Sequence, residues 1–243
     1  GSEMCIRDRR YKNYTIRDGK YSLPGLPAVY ADNDEAQTLE IVLEDPVTGV
    51  EAMLLYGVLP ELDIITRSVY IRNQSSEKIY VNKVMSAELD FLYGDYDLLT
   101  FYGRHAMERN LQRVPVAHGS QMIGSVRGTS SHQYNPAVIL AEKGTTETAG
   151  SCYGMLFVYS GNFSCEAEKD QFNQTRLLLG LNEELFSYPL AAGETFTVPE
   201  VILSYSADGL SALSQQYHNC IRNHVCRSCL LYTSPSPRDS TSS

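Results

Sequence analysis

The chain has 243 residues and a formal net charge of -9, with a hydrophobic fraction of 43%, which is enough for a substantial core in one large domain or two small ones. The acidic balance speaks against a nucleic-acid binder and against a partner of anionic membrane surfaces. No apolar run reaches the roughly 20 residues a membrane-spanning helix needs, and no basic-then-apolar leader opens the sequence.

Residues 1–9 do not fit the pattern that follows. Neither do residues 228–243, whose Ser-Pro steps and Ser/Thr end leave little to bury. Both ends resemble translated sequencing-adapter sequence. They are expected to be foreign, with an unstructured tail, and the chain is expected to be a piece of a longer reading frame.

Between the ends, strand signals dominate, and 17 tyrosines favour half-buried sheet surfaces. Residues 38–44 alternate, Asp45-Pro-Val-Thr-Gly49 turns, and residues 51–58 run back, which predicts a hairpin. Residues 64–72 and 78–85 predict a second hairpin around the polar loop 73–77. Further strands are predicted at 97–102, 121–127, 137–142, 153–159, 163–169, 175–181 and 195–204. Many short strands joined by turn residues imply a sandwich or barrel. After Ser206 the period changes. Leu210, Leu213, Tyr217, Ile221 and Val225 recur at three and four residues, with Ser206 or Asp208 as N-cap. The plan is an all-β unit over residues 10–206, then one helix over 207–227.

Two polar segments stand out. Arg127-Gly-Thr-Ser-Ser-His-Gln-Tyr-Asn-Pro136 brings Ser130, Ser131 and His132 together with Arg127. Adjacent Ser and His seldom point at one another, and no Gly-x-Ser-x-Gly elbow is present. A binding or interface loop is the better reading than a nucleophile and base. Gly103-Arg-His-Ala-Met-Glu-Arg109 puts Arg104, His105, Glu108 and Arg109 in one short stretch. These side chains suit contacts to a sugar hydroxyl or a carboxylate on a neighbouring domain, or a self-contained surface ion pair. Asp90, Asp95 and Asp97 lie close together, and Glu166 and Glu168 alternate. A facing carboxylate pair would serve a glycosidase; alternation reads instead as the solvent face of a strand.

Cys152, Cys165, Cys220 and Cys226 show no framework spacing and read as buried thiols. Cys220 and His224 are one helical turn apart, with His218, Cys226 and Cys229 nearby. Two ligands on a face do not close a zinc site, so no metal and no cofactor are expected.

Several motifs then occur in series: Leu23-Pro-Gly-Leu-Pro-Ala-Val-Tyr30, Ile65-Thr-Arg-Ser68, the two polar segments, Tyr159-Ser-Gly-Asn-Phe163, Asp170-Gln-Phe-Asn-Gln-Thr-Arg176 and Gly193-Glu-Thr-Phe-Thr-Val-Pro-Glu200. Their kind and order resemble the N-terminal domain of family-36 glycoside hydrolases, over nearly all of residues 10–227. The resemblance implies a galactose-mutarotase-like β-supersandwich that starts earlier than this chain, followed by a linking helix. It also implies a retaining α-galactosidase, expected in the cytoplasm and acting on raffinose-type sugars, whose catalytic aspartates sit on a (β/α)8 barrel beyond this chain. No catalytic residue is then expected here. Arg104, His105, Arg109, Arg127, Ser130, Ser131 and His132 become candidate contacts to that barrel, to the α-galactoside or to another subunit of a homo-oligomer. Two other readings remain. A free-standing carbohydrate-binding module needs exposed aromatics on one face, and the absence of Trp weighs against it. A mutarotase-like epimerase needs a positioned His and a carboxylate in one cleft; His105, His118 and His132 are available, but the segments around His105 and His132 match the hydrolase sandwich.

Overall fold

The structure is a computed structural model, and it describes residues 10–226. The two ends that the sequence sets apart lie outside the described residues. Sixteen strands and one α-helix make up the rest, with a 3-10 turn at Pro60–Leu62.

The strands are β1 (Arg10–Asp18), β2 (Gln37–Asp45), β3 (Val50–Leu59), β4 (Ile64–Asn73), β5 (Ile79–Val81), β6 (Met85–Phe91), β7 (Tyr96–Arg104) and β8 (Met107–Pro115). Then come β9 (Gly119–Ser125), β10 (Tyr134–Glu142), β11 (Cys152–Phe157), β12 (Phe163–Lys169), β13 (Thr175–Leu181), β14 (Tyr188–Leu190), β15 (Thr195–Thr197), β16 (Val201–Ser206) and the helix α1 (Leu210–His224). A ten-stranded sheet runs in the order β1-β2-β3-β4-β16-β11-β10-β7-β8, with β15 also on β4. Two smaller sheets, β12-β13-β6 and β14-β5, lie over one face of it. β9 runs beside β12, where Ser120 Oγ donates to Glu166.

Alternation decides what each face covers. On the large sheet Leu98, Val138, Leu140, Met155, Phe157 and Val201 face Phe163, Cys165, Ala167, Leu177 and Leu179 of the smaller sheet, all buried. Each Val, Leu, Met or Phe side chain among them contributes about 1.5–3 kcal/mol by leaving water. A second core sets Val50, Ala52, Val69 and Ile71 against Val81 and Leu190. α1 covers the opposite face. Leu213 packs on Leu99, Ala141 and Cys152, and Cys220 packs with Val29, Ile64 and Ile202.

Several sequence expectations need correction. Residues 64–72 and 78–85 do not pair. β4 pairs with β3, β16 and β15, while β5 pairs with β14. The Asn73 amide donates to the carbonyls of Glu77 (2.7 Å) and Leu190 (3.0 Å), which turns the chain out of the large sheet into the covering layer. The stretch 195–204 splits into β15 and β16, interrupted by Pro199 and the buried Glu200. Neither Ser206 nor Asp208 caps the helix. The N-cap is Gly209, and the Leu210 and Ser211 amides donate instead to the carbonyls of Thr146 (3.0 Å) and Glu147 (2.9 Å). Gly209 has φ 84°, and a Cβ there would stand 2.6 Å from both Ala149 N and Thr146 O, so only glycine fits.

Residues 19–36 form a strap over the same face as α1. Its base closes with Gly19 N donating to Ala36 O at 2.8 Å. Tyr21 and Leu23 bury against Leu55. The strap's far end meets the end of the helix. Tyr30 N donates to His224 O at 2.8 Å, and His224 Nδ1 lies 2.9 Å from Tyr30 O.

Candidate functional site

The two polar segments singled out in the sequence come together at one edge of the large sheet. β7 ends at Arg104, Ala106 reverses the chain at φ 63°, and β8 returns. The loop between β9 and β10 lies alongside, with Gly103 N donating to Gln133 O at 3.2 Å and Tyr102 opposite Tyr134. Arg104, His105, Arg109, Arg127 and His132 are all exposed; Ser130 and Ser131 are half-buried.

The hydroxyls serve the loop backbone. Ser130 Oγ donates to Tyr159 O (3.5 Å), and Ser131 Oγ accepts from Gln133 N (3.1 Å). Gly128 N donates to Asn162 Oδ1 at 2.6 Å, which anchors the loop to the turn before β12. Among the described residues His132 has no hydrogen bond to either serine, so the segment holds no assembled nucleophile and base. The surface ion pair expected within 103–109 is also not formed. Glu108 Oε1 accepts from Ala106 N (2.9 Å), and Arg104 Nη2 approaches Met107 Sδ (3.2 Å). Arg109 sits on left-handed backbone at φ 60°, a conformation that costs about 1–3 kcal/mol for a residue other than glycine. The edge therefore presents guanidinium and imidazole groups to solvent. It is equipped to hold an acceptor.

The acidic residues are spent elsewhere. Asp90 pairs with Arg176 (2.8 Å), Asp95 with Lys169 (3.0 Å) and Asp97 with Arg113 (2.7 Å). The Lys169 hydrogen bond holds the Asp95 carboxyl below its ordinary pKa, while burial pushes Glu88 upward despite Arg176. The Asp90 and Asp97 pairs cross-link neighbouring strands, β6 with β13 and β7 with β8, while Asp95, just before β7, reaches the end of β12 in the covering sheet. Cys220 points into the core and His224 is engaged by Tyr30, so the two do not converge. Among the described residues no group of three His, Cys, Asp or Glu is placed to hold a metal ion, and no helix is long and apolar enough to cross a membrane.

One feature escaped the sequence reading. Lys20 and Glu200 form a buried ion pair beneath the strap, and Glu200 Oε2 also accepts from Val29 N at 2.6 Å. A glutamate inside the apolar run after Val198 was the available signal. Its partner, on a loop far away in sequence, carried none.

The described residues form an all-β sandwich whose large sheet carries one helix on its outer face and a polar edge of exposed Arg and His side chains. The model for the glycosyl hydrolase family 36 N-terminal domain matches residues 3–191, and the chain belongs to that family. It is 76% identical over 221 residues to the bifunctional α-galactosidase/sucrose kinase AgaSK of Mediterraneibacter gnavus, covering 91% of this chain and 24% of that protein. α-Galactosidase 1 of Pediococcus pentosaceus is 44% identical over 219 residues, 90% of this chain and 30% of its own. Among solved structures, the galactosidase domain of AgaSK superposes with a TM-score of 0.91 at 74% identity, over 94% of this chain and 32% of that one. The α-galactosidase AgaA of Geobacillus stearothermophilus, solved with stachyose, gives 0.91 at 40% identity over the same shares. The chain thus spans about a quarter to a third of the length of the relatives it matches.

Proposed function

We propose that this domain is the non-catalytic N-terminal sandwich of a cytoplasmic α-galactosidase that removes terminal α-galactosyl residues from oligosaccharides. Its role is to support the substrate pocket on the catalytic barrel and to assist subunit assembly. α1 is the link to that barrel, and no nucleic acid, membrane or cofactor is involved. The observation that carries the reading is the 76% identity to a protein named for α-galactosidase activity, of which this chain matches 24%. The commitment of Asp90, Asp95 and Asp97 to ion pairs with Arg176, Lys169 and Arg113 supports a supporting rather than a catalytic role.

In this reading Arg104, His105, Arg109, Arg127, Ser130, Ser131 and His132 face the barrel or a second subunit. Arginine suits fixed contacts to carboxylates across such a boundary. The test is a graft in which residues 10–226 replace the equivalent segment of the 76%-identical relative. In the graft, Arg109→Ala and His132→Ala should raise KM or loosen assembly and leave kcat within a few-fold. A large fall in kcat with KM and assembly unchanged would place these residues in the catalytic machinery instead.

A further inference from the structure

The two halves of α1 are held by different partners. Leu210 and Leu213 in the first half pack with Leu99, Ala141 and Cys152 of β7, β10 and β11. Cys220 in the second half and Val225 just past it pack with Val29 and Ala31 of the strap, and with Ile64 and Ile202 of the large sheet. Tyr217 lies at the boundary and touches both groups. The last turn of a helix leaves carbonyls with no partner inside the helix, and here the strap supplies donors to them. Tyr30 N donates to His224 O (2.8 Å) and Tyr30 Oη to Cys226 O (3.2 Å). His224 returns the contact, with Nδ1 at 2.9 Å from Tyr30 O. A carbonyl only accepts, so this nitrogen carries the ring proton. Tyr30 therefore caps the end of a helix that lies 194 residues farther along the chain.

The strap itself is fastened without a strand ladder. No residue from 19 to 36 belongs to a strand. Its base closes between Gly19 and Ala36, and its middle is fixed on one buried carboxylate. Lys20 Nζ meets Glu200 Oε1 at 2.5 Å, and Val29 N donates to Glu200 Oε2 at 2.6 Å. The Lys20 stem reaches this pair by crossing Gly57 of β3, where a Cβ would stand 2.5 Å from Lys20 Cδ. Val29 and Tyr30 are adjacent, so a single peptide step joins the Glu200 carboxylate to the end of α1. A segment with few backbone bonds, anchored by side chains, opens as a unit at a lower free energy than the sheets beneath it.

We propose that the strap and the last turn of α1 form one latch, which opens and closes as a unit and is held shut by the Lys20–Glu200 pair. When it opens, the strap and residues 221–226 come free together, while the first half of α1 stays on the large sheet through Leu213. The coupling is reciprocal. Whatever holds the strap stiffens the end of the helix, and whatever holds the end of the helix closes the strap. Tyr30 and His224 are the positioning residues of this device, because they carry the contact between its two parts. The latch goes beyond the proposed function and stands whether or not the longer protein is a galactosidase.

Native-state hydrogen exchange of the 243-residue chain over a urea series tests this. The amides of Val29 and Tyr30 and those of residues 221–226 should share one opening free energy and one urea dependence, and exchange about tenfold or more faster than the amides of residues 213–217 in the same helix. Lys20→Met should speed the two groups together and leave 213–217 the slower part of α1. From the helix side, His224→Ala should speed the Val29 and Tyr30 amides by about threefold or more, the worth of one hydrogen bond. His224→Asn, whose Nδ2 can stand where the ring Nδ1 stands, should restore them. If Lys20→Met does not fold, the two His224 variants decide the matter. Separate opening free energies for the strap and residues 221–226 would overturn the proposal, as would residues 221–226 exchanging in step with 213–217. So would unchanged Tyr30 exchange in His224→Ala, or an Asn variant no slower than the Ala variant.

Discussion

Lys20 and Glu200 are joined by a 2.5 Å ion pair with side chains only 1% and 0% exposed. The ammonium also lies 3.3 Å from the centre of the Tyr21 ring. Burial pulls the Lys20 pKa down, and Glu200 opposes that pull without cancelling it. Because Glu200 holds Val29 N with its second oxygen, the pair fastens the strap to the residue just before β16. The strap in turn holds the end of α1 through Tyr30 and His224.

Removing one partner leaves a buried charge uncompensated, which costs about 3–5 kcal/mol. Lys20→Met should therefore lower stability in urea by that amount. Lys20→Met with Glu200→Gln should recover most of it, because glutamine is neutral and still offers an acceptor to Val29. Equal losses in the single and double variants would show that packing, not charge, holds the strap.

Gly154 on β11 leaves room for the Tyr217 ring of α1. A Cβ there would stand 2.5 Å from Tyr217 Oη and 2.6 Å from Cε2, and Tyr217 Oη donates to Ile202 O at 3.2 Å. Gly154→Ala should cost about 1–3 kcal/mol by overpacking, with exchange speeding first in α1. Loss spread evenly over both sheets would contradict this.

Alkaline pH should destabilise the fold. Burial pushes the Tyr21 and Tyr217 phenols far above their ordinary values, and moves the Cys152 and Cys220 thiols from 9.0 to about 11. A raised folded pKa means stability that is complete below the unfolded value and lost as pH rises through the folded one. Lys20, whose pKa is lowered, works in the opposite direction near 10.5, but as one group against four. The urea midpoint should fall between pH 9 and 11; a midpoint that rises there would refute the assignment.

The thiols should react unequally. Cys152, Cys165 and Cys220 are buried as the sequence suggests, but Cys226, read there as a buried thiol, is exposed just past the end of α1. Thiolate is the reacting form, so iodoacetamide at neutral pH should label Cys226 before these three in peptide mapping. Early labelling of Cys165, 1% exposed between the sheets, would mean that the sandwich opens.

Much of the fold was legible in the sequence because period-two alternation marks strands with one buried face, as in β2, β3 and β13. The sequence reading also left out β6, although Ala87, Leu89 and Phe91 alternate there with Glu88 and Asp90; the other missed strands lacked that contrast. β1 and β8 are edge strands with little or nothing buried, and β14 contains Pro189. Pairing was harder to read than existence. That β5 joins β14 depends on the Asn73 amide reaching Leu190, a contact 117 residues distant. At the candidate site, the motifs that resemble the family were readable, and so was their polarity. Their meeting through Gly103 and Gln133 was not, because nothing local in either segment encodes it.

The most direct test of the account is hydrolysis of a nitrophenyl α-galactoside by the purified 243-residue chain beside the graft. The account predicts no release by the chain at any pH and turnover by the graft. Release by the chain that follows the protein through successive columns would place the catalytic groups within it, and would contradict the supporting role assigned to this sandwich.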